Sequence, residues 1–354
     1  MSAHAPFFGR TSRRGRFRRA FTVIELLVAI GITALMAGFA IAIVGHVSGF
    51  WSRTSGRVSA EAQARYIFDR LALDLDGAIF RDDGGVWFAA SVPADTANSG
   101  LWDTRGAHAA LLKPSMATGT TLVYHSAAGI AGDTFGAAGT WLRFFTTSRG
   151  RNKDLATLSA PVAVAWQIIR RASSSNPNGT DRRYFLHRAE VRAVQAGARP
   201  GTLEAGFDIT AAAYADISTG PLNTGALGDP CSVRAPQDPG TIVGENVIDF
   251  GVRCYVRDRA SGVLRQIFPV AGETSHLASV PPAVGVATAQ FPEVVDVLVR
   301  ILSDEGGRLI ADLEAGRLGT TPPNGVTAAA WWWQLALAHS HVFTRRIVLI
   351  AEPL

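Results

Sequence analysis

Phe21-Thr-Val-Ile-Glu-Leu-Leu-Val-Ala-Ile-Gly-Ile-Thr-Ala-Leu-Met-Ala-Gly-Phe-Ala-Ile-Ala-Ile-Val44 decides how the rest of this chain is read. From Leu26 to Val44 no residue is charged. At about 1.5 Å per residue that stretch spans about 28 Å, close to the ~30 Å hydrocarbon core of a bilayer. It is the one long apolar run in 354 residues. A multi-span transporter is thereby excluded, and a single membrane-spanning helix is predicted over residues 21–45.

The flank before it is basic. Arg10, Arg13, Arg14, Arg16, Arg18 and Arg19 stand in residues 1–20 with no acid among them. Positive charge on that side predicts an N-terminus held in the cytoplasm and a body sent outward, periplasmic or extracellular. Those six arginines also carry the net charge of +5, since the remaining basic residues are balanced against 29 acidic ones. A nucleic-acid binder would wear its basic excess on the folded body, so no nucleic-acid partner is expected. Lys113 and Lys153 are the only lysines, an arginine bias read as genomic composition. An apolar share of 47% with 18% charged residues excludes a disordered chain or a coiled-coil rod.

Glu25 is the anomaly in the apolar segment. A carboxylate at the bilayer centre costs about 2.5–3.5 kcal/mol, and less at the edge of a helix. A simple anchor gains nothing from it on hydropathy grounds. It becomes useful if the chain is cut after Ala20, because Phe21 then carries a positively charged amine and Glu25 is the fifth residue of the product. In a helical stack the carboxylate of one subunit can neutralise the amine of its neighbour.

Arg19-Ala20-Phe21-Thr22-Val23-Ile24-Glu25-Leu26-Leu27-Val28 resembles the class III signal of type IV pilins and type II secretion pseudopilins. The resemblance implies a prepilin peptidase that cuts between Ala20 and Phe21 and methylates the new amine of Phe21. It also implies Phe21 and Glu25 as the pair that docks the subunit among other pilin-like subunits on an inner-membrane assembly platform. The family usually has Gly before the cut where this chain has Ala20, the smallest substitute. Two rivals share the region. Arg18-Arg19-Ala20-Phe21 also resembles a twin-arginine export signal, but ordinary export signals have shorter apolar regions and no use for Glu25. A plain uncleaved anchor is the other, and it makes the protein a single-pass binding module.

Past the span, residues 46–80 are predicted to continue the helix. Val58, Ile67, Leu71, Leu75 and Ile79, with Phe68 and Ala72 beside them, give an apolar stripe that packs on this protein's own sheet or on a partner helix. Glu61 to Arg65, Arg65 to Asp69 and Arg70 to Asp74 are opposite-charge pairs at helical spacing. Gly45, Gly49 and Gly56 weaken the junction, and Arg81-Asp-Asp-Gly-Gly85 is read as the stop.

Residues 81–354 read as β-rich. Strands are predicted at Val86 to Val92, Thr120 to Ser126, Thr140 to Thr147, Val162 to Arg170 and Arg183 to Val194. Others follow at Val247 to Arg257, Val263 to Pro269, Glu293 to Ser303 and Val342 to Ala351. In Val247 to Arg257 the residues Ile248, Phe250, Val252, Cys254 and Val256 alternate with mostly polar neighbours, a half-buried pattern. Residues 196–240 are read as a surface excursion. Residues 306–341 are read as a second one, with a short helix at Arg308 to Arg317 and a helical or extended piece through Trp331 to Leu335. One long helix followed by strands suits an antiparallel α+β domain better than repeated βαβ units. Four blocks of the body are similar to J-type minor pseudopilins and to the pilin-like Verru_Chthon cassette protein C: Arg183 to Arg188, Glu245 to Val256, Pro292 to Asp304 and Val342 to Val348.

No residue set predicts catalysis. His339 and His341 could share a strand face, but no third ligand lies at matching spacing, and catalytic zinc needs three. His108, His125, His187 and His276 are scattered, with no GxSxG-type nucleophile motif. Asp82-Asp83-Gly84-Gly85 and Asp304-Glu305-Gly306-Gly307 read as turns, with calcium binding as the alternative, and neither is an EF-hand. Gly129 to Gly139 lacks a P-loop pattern. No metal and no cofactor is expected. Cys231 and Cys254 could bridge in an oxidising compartment, and a buried free thiol at Cys254 fits its inward parity equally well. Trp331, Trp332 and Trp333 cannot all face one core. They are read either as a partner contact, in which case Trp332→Ala costs assembly more than folding, or as a flap over the sheet.

Overall fold

The computed structural model describes residues 22–81, 84–91, 139–147, 161–172, 182–192, 208–210, 242–270, 273, 275–281, 289–318 and 322–349. The chain divides into two compact units, Met1–Thr54 and Ser55–Leu354. Helix α1, Val23–Asp76, begins in the first and ends in the second.

In the first unit α1 carries apolar side chains all round. Leu27, Ile32, Phe39 and Ile41 are all exposed. Its most apolar window has a mean hydropathy of 2.6 and none of it is buried inside protein. A helix apolar on every side is stable only in a core or a bilayer, and this one is long and apolar enough to cross a membrane.

In the second unit α1 turns amphipathic. Ala60, Ala64, Ile67, Leu71 and Leu75 are buried at steps of four, three, four and four, with Phe68 and Ala72 beside them. This chain's own body covers the stripe, each fully buried Ile or Leu contributing about 1.5–3 kcal/mol. Val58, predicted to join the stripe, is exposed, as are Tyr66 and Leu73 on the wet side. Of the three predicted charge pairs, Arg65 meets Glu61 at 2.6 Å. Asp69 is taken by Arg345, and Asp74 by Arg188. The helix ends at Asp76, before the predicted stop. Gly77 then approaches the strand Trp141–Thr147 so closely that a Cβ there would lie 2.7 Å from Thr146 Oγ1.

Ten strands form two sheets among the described residues. They are β1 Phe88–Ser91, β2 Trp141–Thr147, β3 Pro161–Ala172, β4 Arg182–Arg192 and β5 Ile242–Glu245. They continue with β6 Val247–Arg257, β7 Leu264–Phe268, β8 Ser275–Ala278, β9 Val294–Leu302 and β10 Ser340–Val348. The larger sheet has the order β5-β4-β3-β2-β1-β8 and the smaller β10-β9-β6-β7. All of these pairings are antiparallel. The architecture is therefore α+β, with a long helix leading into antiparallel sheets. The predicted strand at Thr120 to Ser126 lies outside the described residues, and β5 and β8 were not predicted.

One residue passes the chain from sheet to sheet. Asn246, between β5 and β6, has φ 56°, a left-handed conformation that Asn tolerates better than most residues. Its side chain sits so near the helix Asp304–Glu314 that a Cβ on Gly307 would fall 2.5 Å from Asn246 Oδ1. β6 departs from the predicted alternation: its first six residues are all buried, Asp249 included, and inward–outward alternation begins only at Arg253.

The predicted excursion at 306–341 is a helical insertion joining the neighbouring strands β9 and β10. It contains α2, Asp304–Glu314, and α3, Ala328–Ala338. Ser303 caps α2 by accepting from Gly306 N at 3.1 Å, and Thr327 caps α3 by accepting from Ala330 N at 3.2 Å. Asp304 and Glu305 thus form the acidic first turn of a helix, where they complement its dipole. This corrects the turn predicted there. Ser303 N donates to His339 O at 2.8 Å and closes the insertion on itself. In the other predicted excursion, 196–240, Ile209 is fully buried and its N–H donates to Val86 O at 2.9 Å, so the chain at that point is core and not surface.

Candidate functional site

The N-terminal end of α1 is shaped by two residues. Glu25 Oε2 accepts from Thr22 N at 3.0 Å and from Thr22 Oγ1 at 3.1 Å, while Glu25 N donates back to Thr22 Oγ1 at 3.3 Å. This is the reciprocal capping box of a Thr-x-x-Glu start. It gives Glu25 a local use, worth about 1 kcal/mol as a cap. The sequence reading, in which a plain anchor gains nothing from the carboxylate, is corrected to that extent. Ala20 and Phe21, the residues of the expected cut, lie outside the described residues.

At its other end α1 is held by a buried charge cluster. Asp74 Oδ2 accepts from Trp166 Nε1 at 3.0 Å and from Arg188 Nε at 2.6 Å, and Oδ1 accepts from Arg188 Nη2 at 2.9 Å. Arg188 Nη1 donates to Glu190 Oε2 at 2.6 Å. Thr146 Oγ1 donates to the backbone oxygen of Asp74 at 2.6 Å. Burial works against the Arg188 cation, but the hydrogen bond and charge of Asp74, with Glu190, outweigh it and leave its pKa raised. A carboxylate in the last turn opposes the helix dipole, and this forked pair with Arg188 offsets that cost.

A second cluster gathers the insertion onto the same strands. Glu314, at the end of α2, receives Arg170, and its Oε1 accepts from Tyr184 Oη at 2.8 Å and from Trp332 Nε1 at 2.9 Å. Burial first, then the Glu314 charge, pushes the Tyr184 phenol well above its usual pKa. Trp166 faces Arg188 across the β3–β4 ladder, and Arg170 faces Tyr184. Trp166 and Arg170 therefore share one face of the sheet, and both clusters stand on it.

The remaining predicted residues fall out as follows. Trp332 and Trp333 are each 2% exposed and meet edge to face, with ring centroids 5.0 Å apart. Both are core of this chain, so the partner-contact reading does not hold for them. Trp331 is half-buried. Cys254 is buried with a free thiol, and burial pushes its pKa up. Cys231, its possible partner, lies outside the described residues. His339 ends α3 and His341 stands in β10 against Phe343, with burial and then Arg57 lowering the pKa of His341. Among the described residues no three His, Cys, Asp or Glu side chains gather as metal ligands. Asp82 and Asp83 lie outside the described residues.

No protein-family model matches the chain, and no curated protein or solved structure matches it significantly.

Sequence reasoning missed Thr22, although the pattern Thr22-Val-Ile-Glu25 carries the capping signature on its face. It also missed both charge clusters. The one signal for the first was Asp74 at the wrong end of a helix dipole, which calls for a cation from elsewhere in the fold.

Proposed function

We propose that the protein is a minor pilin-like subunit of the J-type pseudopilin kind, a structural part of a type II secretion or type IV pilus-like assembly. In this reading prepilin peptidase removes residues 1–20 and methylates Phe21. The helix from Phe21 crosses the inner membrane with its N-terminus cytoplasmic, and the α+β body stands on the far side. Other pilin-like subunits and the assembly platform receive the helix, with Glu25 neutralising the Phe21 amine of a neighbour. The protein assembles and performs no chemistry of its own.

The observation that carries this reading is the charged Glu25 at the start of a helix whose first half is otherwise apolar and exposed and whose chain goes on into antiparallel sheets. The four blocks similar to J-type sequences lie largely in β4, β5–β6, β9 and β10. The capping box supports a second reading, an uncleaved single-pass anchor whose Glu25 serves the helix end alone.

Two substitutions separate them. Glu25→Gln keeps a capping box, because Gln serves at that position, and removes the charge. Glu25→Ala removes both. The filament reading expects both variants to insert in the membrane and both to lose co-purifying subunits. The loss should be at least about tenfold, since two unit charges 4 Å apart at an effective dielectric of 20 interact by about 4 kcal/mol. Normal assembly by Glu25→Gln would leave the cap as the sole use of Glu25 and favour the anchor.

A further inference from the structure

The edges of the two sheets are unequal. Edge strands β5, β7 and β8 have four, five and four residues. β5 and β7 also carry register shifts against their neighbours. Short and irregular edges are the usual means of keeping a sheet from pairing with another chain. β10 uses neither. It has nine residues in unbroken register with β9, from Ser340 opposite Leu302 to Val348 opposite Val294. On its other side it has no strand neighbour among the described residues, and Val342, Thr344, Arg345, Arg346 and Val348 are exposed. At about 3.4 Å per residue this is about 30 Å of edge.

What guards that edge is charge. Arg345 and Arg346, as successive residues, project to opposite faces of the strand. Arg346 holds Asp296 through two bonds of 2.7 Å, and Arg345 reaches Asp69 of α1. A guanidinium has five donors, more than those bonds occupy. Beside the strand, Arg253, Leu298, Thr344 and Arg346 line an open groove of about 380 Å³. Edge-to-edge pairing of two copies through β10 would set these arginines against each other, and like charges across a strand pair are destabilising. An acidic strand meets the opposite situation on both faces.

We infer that the open edge of β10 takes an extended, acidic segment of another chain by strand addition. The segment's backbone pairs with β10, and its carboxylates meet Arg345 on one face and Arg346 on the other. Backbone pairing supplies affinity and the side chains supply selection, as in other strand-addition sites. The inference stands whether or not the chain is a pilin-like subunit.

The test is fluorescence anisotropy of the full-length protein in detergent micelles with a labelled peptide, Thr-Val-Val-Glu-Glu-Glu-Val-Val-Thr, whose adjacent carboxylates project to both faces of a strand. Two controls accompany it, one with Lys for every Glu and one with Pro for every Val. The acidic peptide should bind saturably, with both controls at least about tenfold weaker, a difference of about 1.4 kcal/mol. The double variant Arg345→Glu with Arg346→Glu should reverse the preference toward the Lys peptide. Equal binding of the Pro form would show charge attraction without strand pairing and overturn the inference. So would equal binding of the Lys form, no saturation by about 1 mM, a binding energy near only 4 kcal/mol, or self-association of the protein through β10.

Discussion

Asp74→Ala is expected to destabilise the second unit by about 3–5 kcal/mol, the usual cost of removing one member of a buried ion pair. The substitution leaves the Arg188 guanidinium in a site where its side chain is only 10% exposed, with Glu190 as its remaining carboxylate. It also strands Trp166 Nε1, whose partner is Asp74 Oδ2. Thermal unfolding of the full-length protein in micelles should show a fall of roughly 10 °C. Adding Arg188→Met together with Glu190→Leu should recover much of it, because apolar replacement of a whole buried pair or triad is often neutral. A fall below about 0.5 kcal/mol, the ordinary range of surface substitutions, would mean that the cluster does not fix the end of α1.

Trp332→Ala is expected to cost a similar amount, about 3–5 kcal/mol, as other buried Trp truncations do. It empties a position packed edge to face on Tyr184 and Trp333, and takes a donor from Glu314. The consequence is a folding defect, where the sequence alone suggested an assembly defect. Trp331→Ala, at the half-buried ring, should cost clearly less in the same unfolding experiment. If Trp332→Ala unfolds like the unsubstituted chain yet fails to co-purify with other subunits, the tryptophans act at an interface after all.

The helix long and apolar enough to cross a membrane was legible because hydropathy needs no tertiary partner to be read. The helical stripe was legible from Ile67 to Leu75 for the same local reason. Val58 was misplaced on it because, at 3.6 residues per turn, the step from Val58 to Ile67 carries a side chain to the opposite face. Asp69 and Asp74 were assigned local helical partners, whereas the fold gives them Arg345 and Arg188, more than a hundred residues away. No spacing rule reports such pairs. β5 and β8 were too short to show a period, and β6 lost its alternation because its first half is buried on both faces. The inward parity of Cys254 did hold. The tryptophan run was correctly judged unable to share one core, and helix α3 turns Trp332 and Trp333 inward while Trp331 stays half-buried. At the candidate site Glu25 stands out as a charge in an apolar run, whereas Thr22 is a small polar residue whose capping role shows only in its spacing to Glu25.

The most direct measurement is mass spectrometry of the N-terminal peptide from membranes of the native cell. A peptide that begins at N-methylated Phe21, with residues 1–20 gone, is the expected result. It would establish prepilin-type processing with Ala20 before the cut and give Glu25 a neighbouring amine to pair with. An intact N-terminus running from Met1 through Arg19 into Phe21 would contradict it. Glu25 would then serve as the helix cap alone, and the protein would be an anchored single-pass domain.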